Sequence, residues 1–206
     1  LHPFGLGERT MVDTTSERRG VLPSTRWKRE AMAQPWYPGE TLSAGIGQGY
    51  VLTTPMQLAV ATSALATRGE RRSPRLVRSV DGEPVTAPLL PPVAAKPEHW
   101  DAVHAAMRDV VHGERGSARK IGVDIPYMMA GKTGTAQVIG IAQNAVYKEE
   151  EVAERHRNHG LFIAFAPLDA PTIAVAVLVE NGGGSSAAYP IAREVIDTWL
   201  LGDGTG

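Results

Sequence analysis

The strongest place for chemistry in this chain is the run Gly131-Lys132-Thr133-Gly134-Thr135-Ala136-Gln137. Two uses of such a run compete. A phosphate-binding loop needs a glycine five positions before the glycine of Gly-Lys-Thr and a helix directly after the lysine. Position 126 is Pro126, and residues 134–140 are poor helix formers that fit a strand. The phosphate reading is rejected. The alternative sets lysine, threonine and glycine along a strand that borders an acyl-transfer site. There Lys132 supplies positive charge to a substrate carboxylate and favours proton departure from a neighbouring hydroxyl. Thr133 adds a directed hydrogen bond to the same carboxylate. Gly134 removes a side chain, so a peptide or lactam can lie against the backbone, and the Thr135 amide can point at a developing oxyanion. Taken alone, the three letters better fit a surface strand with one exposed lysine.

Other combinations carry less. Gly45-Ile46-Gly47-Gln48-Gly49 resembles part of a dinucleotide fingerprint, but the sixth-position glycine falls on Tyr50 and no good strand precedes it. A tight turn before a helix is the better reading. Ser117-Ala118-Arg119-Lys120 fits S-x-x-K by letters, a nucleophilic serine one helical turn from a lysine. Its flanks, Gly113, Gly116 and Gly122, are a poor setting for a rigid buried helix, so it reads as a chance match. Ser79-Val80-Asp81 imitates an S-x-D element but sits at an expected hairpin turn. Arg68, Arg71, Arg72, Arg75 and Arg78 read as a solvated face. His156 and His159 could share a helix face beside Glu149, Glu150, Glu151 and Glu154, a solvated linker helix, but no third ligand accompanies them. No metal site, no cofactor and no Ser-His-Asp set is expected.

Composition narrows the field. With 21 basic and 22 acidic residues the formal net charge is −1, which lacks the basic excess of a nucleic-acid surface. Cysteine is absent, which excludes disulfides, thiol nucleophiles and zinc ribbons. No run approaches the roughly 18 apolar residues of a membrane span. Leu1-His2-Pro3-Phe4-Gly5 lacks the basic start and apolar middle of a signal peptide, and without an initial methionine the chain reads as a piece of something longer. A 43% hydrophobic content supports a real core, while 22 glycines and 15 prolines promise long connections.

Elements must hold the Lys132 run in place. Residues 1–50 are rich in breakers and are expected to be an irregular segment that wraps over a core supplied elsewhere. Residues 51–126 read as a helical and hairpin part. Thr54 caps a helix that Pro55 opens and Gly69 ends, with Met56, Ala59, Val60 and Ser63 on its apolar face, widened by Leu58, Ala61 and Leu65. Asp81-Gly82 lies between short alternating runs, a strong hairpin signal. A second helix, about 97–112, presents Trp100, Val103, Met107 and Val110, and Gly113 terminates it. Residues 127–201 read as sheet strands and a C-terminal helix. The runs 161–166 and 172–179 are apolar throughout, so both their faces should be covered, and their short connection makes them antiparallel. In the second run Ala174 and Ala176 form a small face that a helix can approach. A charged linker, 148–159, precedes them, and a last helix, about 188–201, is expected to bury Ile191, Val195, Ile196 and Trp199. The fold class is α/β (α+β), an antiparallel sheet flanked by helices, with the Lys132 strand beside the run 161–166.

Several separated motifs occur together: Gly20-Val21-Leu22-Pro23-Ser24-Thr25-Arg26-Trp27-Lys28, Ile46-Gly47-Gln48-Gly49-Tyr50 with Thr53-Thr54-Pro55-Met56-Gln57, the Lys132 run, Phe165-Ala166-Pro167, and Val179-Glu180-Asn181-Gly182-Gly183. In this order they resemble the C-terminal half of the transpeptidase domain of class B penicillin-binding proteins, above all the elongation-specific members. The resemblance runs from about Gly5 to Leu201. It implies a penicillin-binding-protein and serine β-lactamase-like fold, and a serine enzyme that acylates itself on D-alanyl-D-alanine stem peptides of peptidoglycan. A neighbouring strand's amine then resolves the acyl-enzyme, and β-lactams mimic the substrate. By position, Lys132, Thr133 and Gly134 match the family's third motif, and Thr135 the residue whose amide completes the oxyanion hole. The family's S-x-x-K and S-x-N or S-x-D elements, its first sheet strands and its membrane anchor precede the matched stretch, so the chain carries half an active site and is expected to be inactive alone. The resemblance further implies the periplasmic face of the bacterial inner membrane and a membrane glycosyltransferase partner in the elongation machinery. The competing reading is a non-catalytic binding or scaffold module that uses the K-T-G strand as a recognition edge.

Overall fold

The computed structural model describes residues 1–138 and 152–202. Although breakers crowd residues 1–50, two eight-residue helices form there, α1 (Thr25–Met32) and α2 (Pro38–Gly45). This corrects the expectation of a wholly irregular segment, and the reason is local. The Ser24 hydroxyl accepts from the Trp27 N–H, and Pro38 occupies a first helical position, where a missing N–H costs no bond. Lys28 is buried between the helices, its ammonium paired with Glu40 and 4.4 Å from the centre of the Tyr37 ring. That hydrogen bond holds the Glu40 carboxyl below its ordinary pKa.

Helix α3 (Pro55–Ala66) begins as the sequence predicts. Thr54 Oγ1 accepts from the Gln57 N–H, and Gln57 Oε1 accepts from the Thr54 N–H, a reciprocal cap. The buried Gln57 amide also donates to the carbonyls of Glu8 and Arg19, which fastens the N-terminal segment to α3. The inward face is partly a correction: Gln57, Thr62, Ala64 and Ala66 are buried, whereas Ser63 faces out. Beyond Gly69, β1 (Arg71–Arg72) pairs with β4 (Leu89–Leu90), and between them β2 (Ser79–Val80) pairs with β3 (Glu83–Pro84). Asp81 and Gly82 have φ of +50° and +85°, the pair of positive values that a two-residue type I′ hairpin demands. Helix α4 spans Pro97–His112, the bounds expected. His104 turns inward in place of Val103: its Nε2 donates to the Leu65 carbonyl at 2.7 Å, and its ring lies 5.0 Å from that of Phe165.

Strands β5 (Ala130–Ala136), β6 (His159–Ala166) and β7 (Ile173–Val179) form an antiparallel sheet in that order. Lys132 stands opposite Ile163, and Ile163 opposite Ala176. Both faces of the apolar β6 are covered, as its composition requires. On one face Ala66 of α3 and Met107 of α4 pack with Ala130 and Phe165, beside Ala174 on the small face of β7. On the other, α5 (Tyr189–Leu201) covers Phe162, Ala164 and Val175.

The face of α5 is the expected one only in part, since of the four residues expected inside only Ile196 is buried. Tyr189, Ala192 and Ile196 are buried, whereas Ile191, Val195 and Trp199 are 44%, 45% and 62% exposed. The Tyr189 ring packs edge-on against Phe162, and Ala192 admits the close approach. Rotating the helix to bury Trp199 would pull Asp197 from the Tyr127 hydroxyl and Arg193 from the Ile121 carbonyl. The expected linker helix is also corrected. Its residues 148–151 lie outside the described residues, Glu154–His156 form one 3₁₀ turn, and His159 opens β6. His156 and His159 therefore share no helix face. Among the described residues no helix is long and apolar enough to cross a membrane.

Candidate active site on the edge of the sheet

Strand β5 is an edge: β6 lies on one side, and no strand among the described residues lies on the other. Two hydrogen bonds show which backbone groups face the open side. The Thr133 carbonyl accepts from Lys132 Nζ at 2.8 Å, and the Thr135 carbonyl accepts from Gln48 Nε2 at 2.8 Å. In an antiparallel pair a residue either exchanges both its N–H and its C=O with its partner or directs both away. Thr133 and Thr135 therefore turn their backbone groups, the Thr135 N–H included, toward the open edge.

The entry to β5 is fixed from α4. The Met129 N–H donates to His112 Nε2 at 3.1 Å, and burial holds the His112 pKa below its ordinary value, which keeps that nitrogen a neutral acceptor. Next, Gly131 sits where a Cβ would lie 2.5 Å from the Phe162 ring, so only glycine lets that fully buried ring cross beneath the strand. Alternation then assigns Lys132 to the sheet face of Ile163 and Thr133 to that of Phe162. At the open edge the two side chains nevertheless meet one loop. Lys132 lines a groove of about 740 Å³ together with Asp109, Gly113 and Ser117, while Thr133 Oγ1 lies 2.9 Å from Ser117 Oγ.

Ser117 is thus not an idle residue, although its S-x-x-K letters are a chance match. Residues Arg119–Gly122 form a 3₁₀ turn, so no α-helix presents Ser117 and Lys120 on one face. The sequence does not reveal the partnership of Ser117 with Thr133, and Gln48 likewise reads only as part of a turn. Neither has a local signal, because each meets β5 through tertiary contact. Ser79 and Asp81 lie in the separate β2–β3 hairpin, as expected. In the full-length protein, Ser117→Ala is expected to leave covalent labelling by a fluorescent penicillin intact and to slow it only severalfold, since a neutral hydrogen bond contributes about 0.5–1.5 kcal/mol. Abolished labelling in a folded Ser117→Ala protein would identify Ser117 as a nucleophile instead.

The structure thus sets lysine, threonine and an outward-facing amide along the edge strand of a helix-flanked antiparallel sheet, the arrangement that the resemblance implies for the transpeptidase class. The description "penicillin binding protein transpeptidase domain" matches residues 1–197, and the chain belongs to this family. It is 39% identical over 206 residues to the peptidoglycan D,D-transpeptidase MrdA of Haemophilus influenzae, covering 97% of this chain and 32% of that protein. Among solved structures, penicillin-binding protein 2 of Pseudomonas aeruginosa, in complex with WCK 5153, superposes with a TM-score of 0.83 at 44% identity, over 100% of this chain and 43% of that one. A chain from a peptidoglycan synthase complex that coordinates polymerization and crosslinking superposes with a TM-score of 0.81 at 34% identity, over 100% and 33% respectively. The chain spans about a third of the length of the curated relative it matches. These relatives agree with the class B, penicillin-binding protein 2-like resemblance carried by the motifs.

Proposed function

We propose that this chain is the K-T-G-bearing part of a peptidoglycan D,D-transpeptidase of cell-wall elongation. In this reading Lys132 and Thr133 bind the terminal carboxylate of a D-alanyl-D-alanine stem peptide or the carboxylate of a β-lactam. Gly134 keeps the strand open to the ligand backbone, and the Thr135 N–H stabilises the oxyanion of the tetrahedral intermediate. A serine from a preceding segment attacks the penultimate D-alanine carbonyl, expels the terminal D-alanine and leaves an acyl-enzyme, which an amine of a neighbouring stem resolves. The observation that carries the reading is the open edge of β5, where Thr133 and Thr135 direct their backbone groups outward beside the Lys132 groove. The acylation rate of a Lys132→Ala variant tests it.

The surroundings of the reaction follow from the same reading. The enzyme works at the periplasmic face of the inner membrane, held by an anchor outside this stretch. Its partner is the membrane glycosyltransferase that polymerises the glycan strands it cross-links. The similarity to a chain of a polymerizing and crosslinking synthase complex supports that pairing.

A further inference from the structure

We infer that Gln48 is a positioning residue for the Thr135 amide, a role that rests on the reading of β5 as the oxyanion edge. Gln48 lies 87 residues from Thr135 in sequence, yet its side-chain amide donates to the Thr135 carbonyl at 2.8 Å. Only the NH₂ end of the amide can make this bond, because the partner is a carbonyl. Thr135 is the residue whose N–H must meet the developing charge. A peptide carbonyl clamped from the open side stops the strand from rolling about its axis, and so fixes the direction of the N–H that leaves the same residue on the same side.

The loop that presents Gln48 is itself held. Gly47 and Gly49 flank it with φ of +75° and +68°, values that glycine adopts without strain, and the Gln48 N–H donates to the Ser43 carbonyl at 2.9 Å. Tyr50 follows, its ring tilted at 52° against that of Trp27 with 5.4 Å between their centres, and set 5.7 Å from the buried Lys28 ammonium. Lys28 in turn is paired with Glu40 of α2. The two short helices of the N-terminal segment thus brace the turn, and through Gln48 the turn braces the catalytic edge.

The test measures acylation by penicillin in the full-length protein carrying Gln48→Glu or Gln48→Leu, with Lys132→Ala in parallel. Glu keeps the length of the side chain but offers no donor, and Leu keeps most of its volume. Both variants should bind penicillin reversibly as the parent does and acylate at least about tenfold more slowly, the split expected when an interaction acts in the transition state. The infrared band of the acyl carbonyl should also move to higher wavenumber as its hydrogen bond to the Thr135 amide weakens, a change that mere loss of loop docking would not cause. Unchanged acylation and an unmoved band in both variants, beside a slow Lys132→Ala protein, would overturn the role of Gln48 alone. Unchanged acylation in Lys132→Ala would overturn the reading of the edge, and this inference with it.

Discussion

Replacing Lys132 by alanine in the full-length protein is expected to slow acylation by penicillin at least a hundredfold. The ammonium is exposed on the groove beside Ser117 and rests against the Thr133 carbonyl, on the open edge of β5. There it can shift to a ligand carboxylate without breaking any contact that the core needs. In the proposed reading, removing it takes away the positive charge that draws the carboxylate and favours proton departure from the attacking hydroxyl. Comparable electrostatic donors contribute about 10²–10³ in rate, or about 2.7–4 kcal/mol. Because Lys132 is solvent-exposed, the fold should survive, and the melting temperature should stay near that of the parent. Stopped-flow acylation at saturating penicillin reads the effect directly, and an unchanged rate constant would remove Lys132 from the site.

The second large effect concerns the 206-residue chain by itself. It is expected to form no acyl adduct with penicillin. Covalent catalysis needs an activated nucleophile beside a base and within reach of the oxyanion donors. Of the two motif-like serines, Ser79 lies in a remote hairpin, and Ser117 is engaged with Thr133 without a helix to hold Lys120 against it. In the proposed reading, Lys132 and Thr133 are left to recognise a carboxylate reversibly and weakly. Intact mass spectrometry after incubation with a penicillin reads this outcome. A stoichiometric adduct on the purified chain would reveal a nucleophile within it.

Legibility followed the range of the forces involved. The bounds of helix α4 and the turn of the β2–β3 hairpin were readable, because Pro97, Gly113 and Asp81-Gly82 act on their own neighbours. The pairing of β6 and β7 followed from two apolar runs and a short connection, and the small face of β7 is one that a helix approaches, which the structure identifies as α3. Rotation of α5 was not readable. Ile191, Val195 and Trp199 are as apolar as Tyr189, Ala192 and Ile196, and the choice between them is made by Phe162, Tyr127 and Ile121 from elsewhere in the chain. Helices α1 and α2 were hidden because their caps are single residues among many breakers, and the buried Lys28–Glu40 pair that joins them forms only after folding. The candidate site divides in the same way. Lys132, Thr133, Gly134 and Thr135 are contiguous and visible as a motif, whereas Ser117 and Gln48 reach that strand only after folding.

The central claim is that the open edge of β5 receives both the carboxylate and the reacting carbonyl of the ligand. A crystal structure of the full-length protein acylated by a penicillin tests it most directly. The acyl carbonyl oxygen should lie about 2.7–3.1 Å from the Thr135 nitrogen, the span of a working oxyanion donor. The ligand carboxylate should contact the Thr133 hydroxyl on the side of Lys132. An acyl group bound with its carbonyl turned away from Thr135, and with Lys132 and Thr133 untouched, would contradict the account.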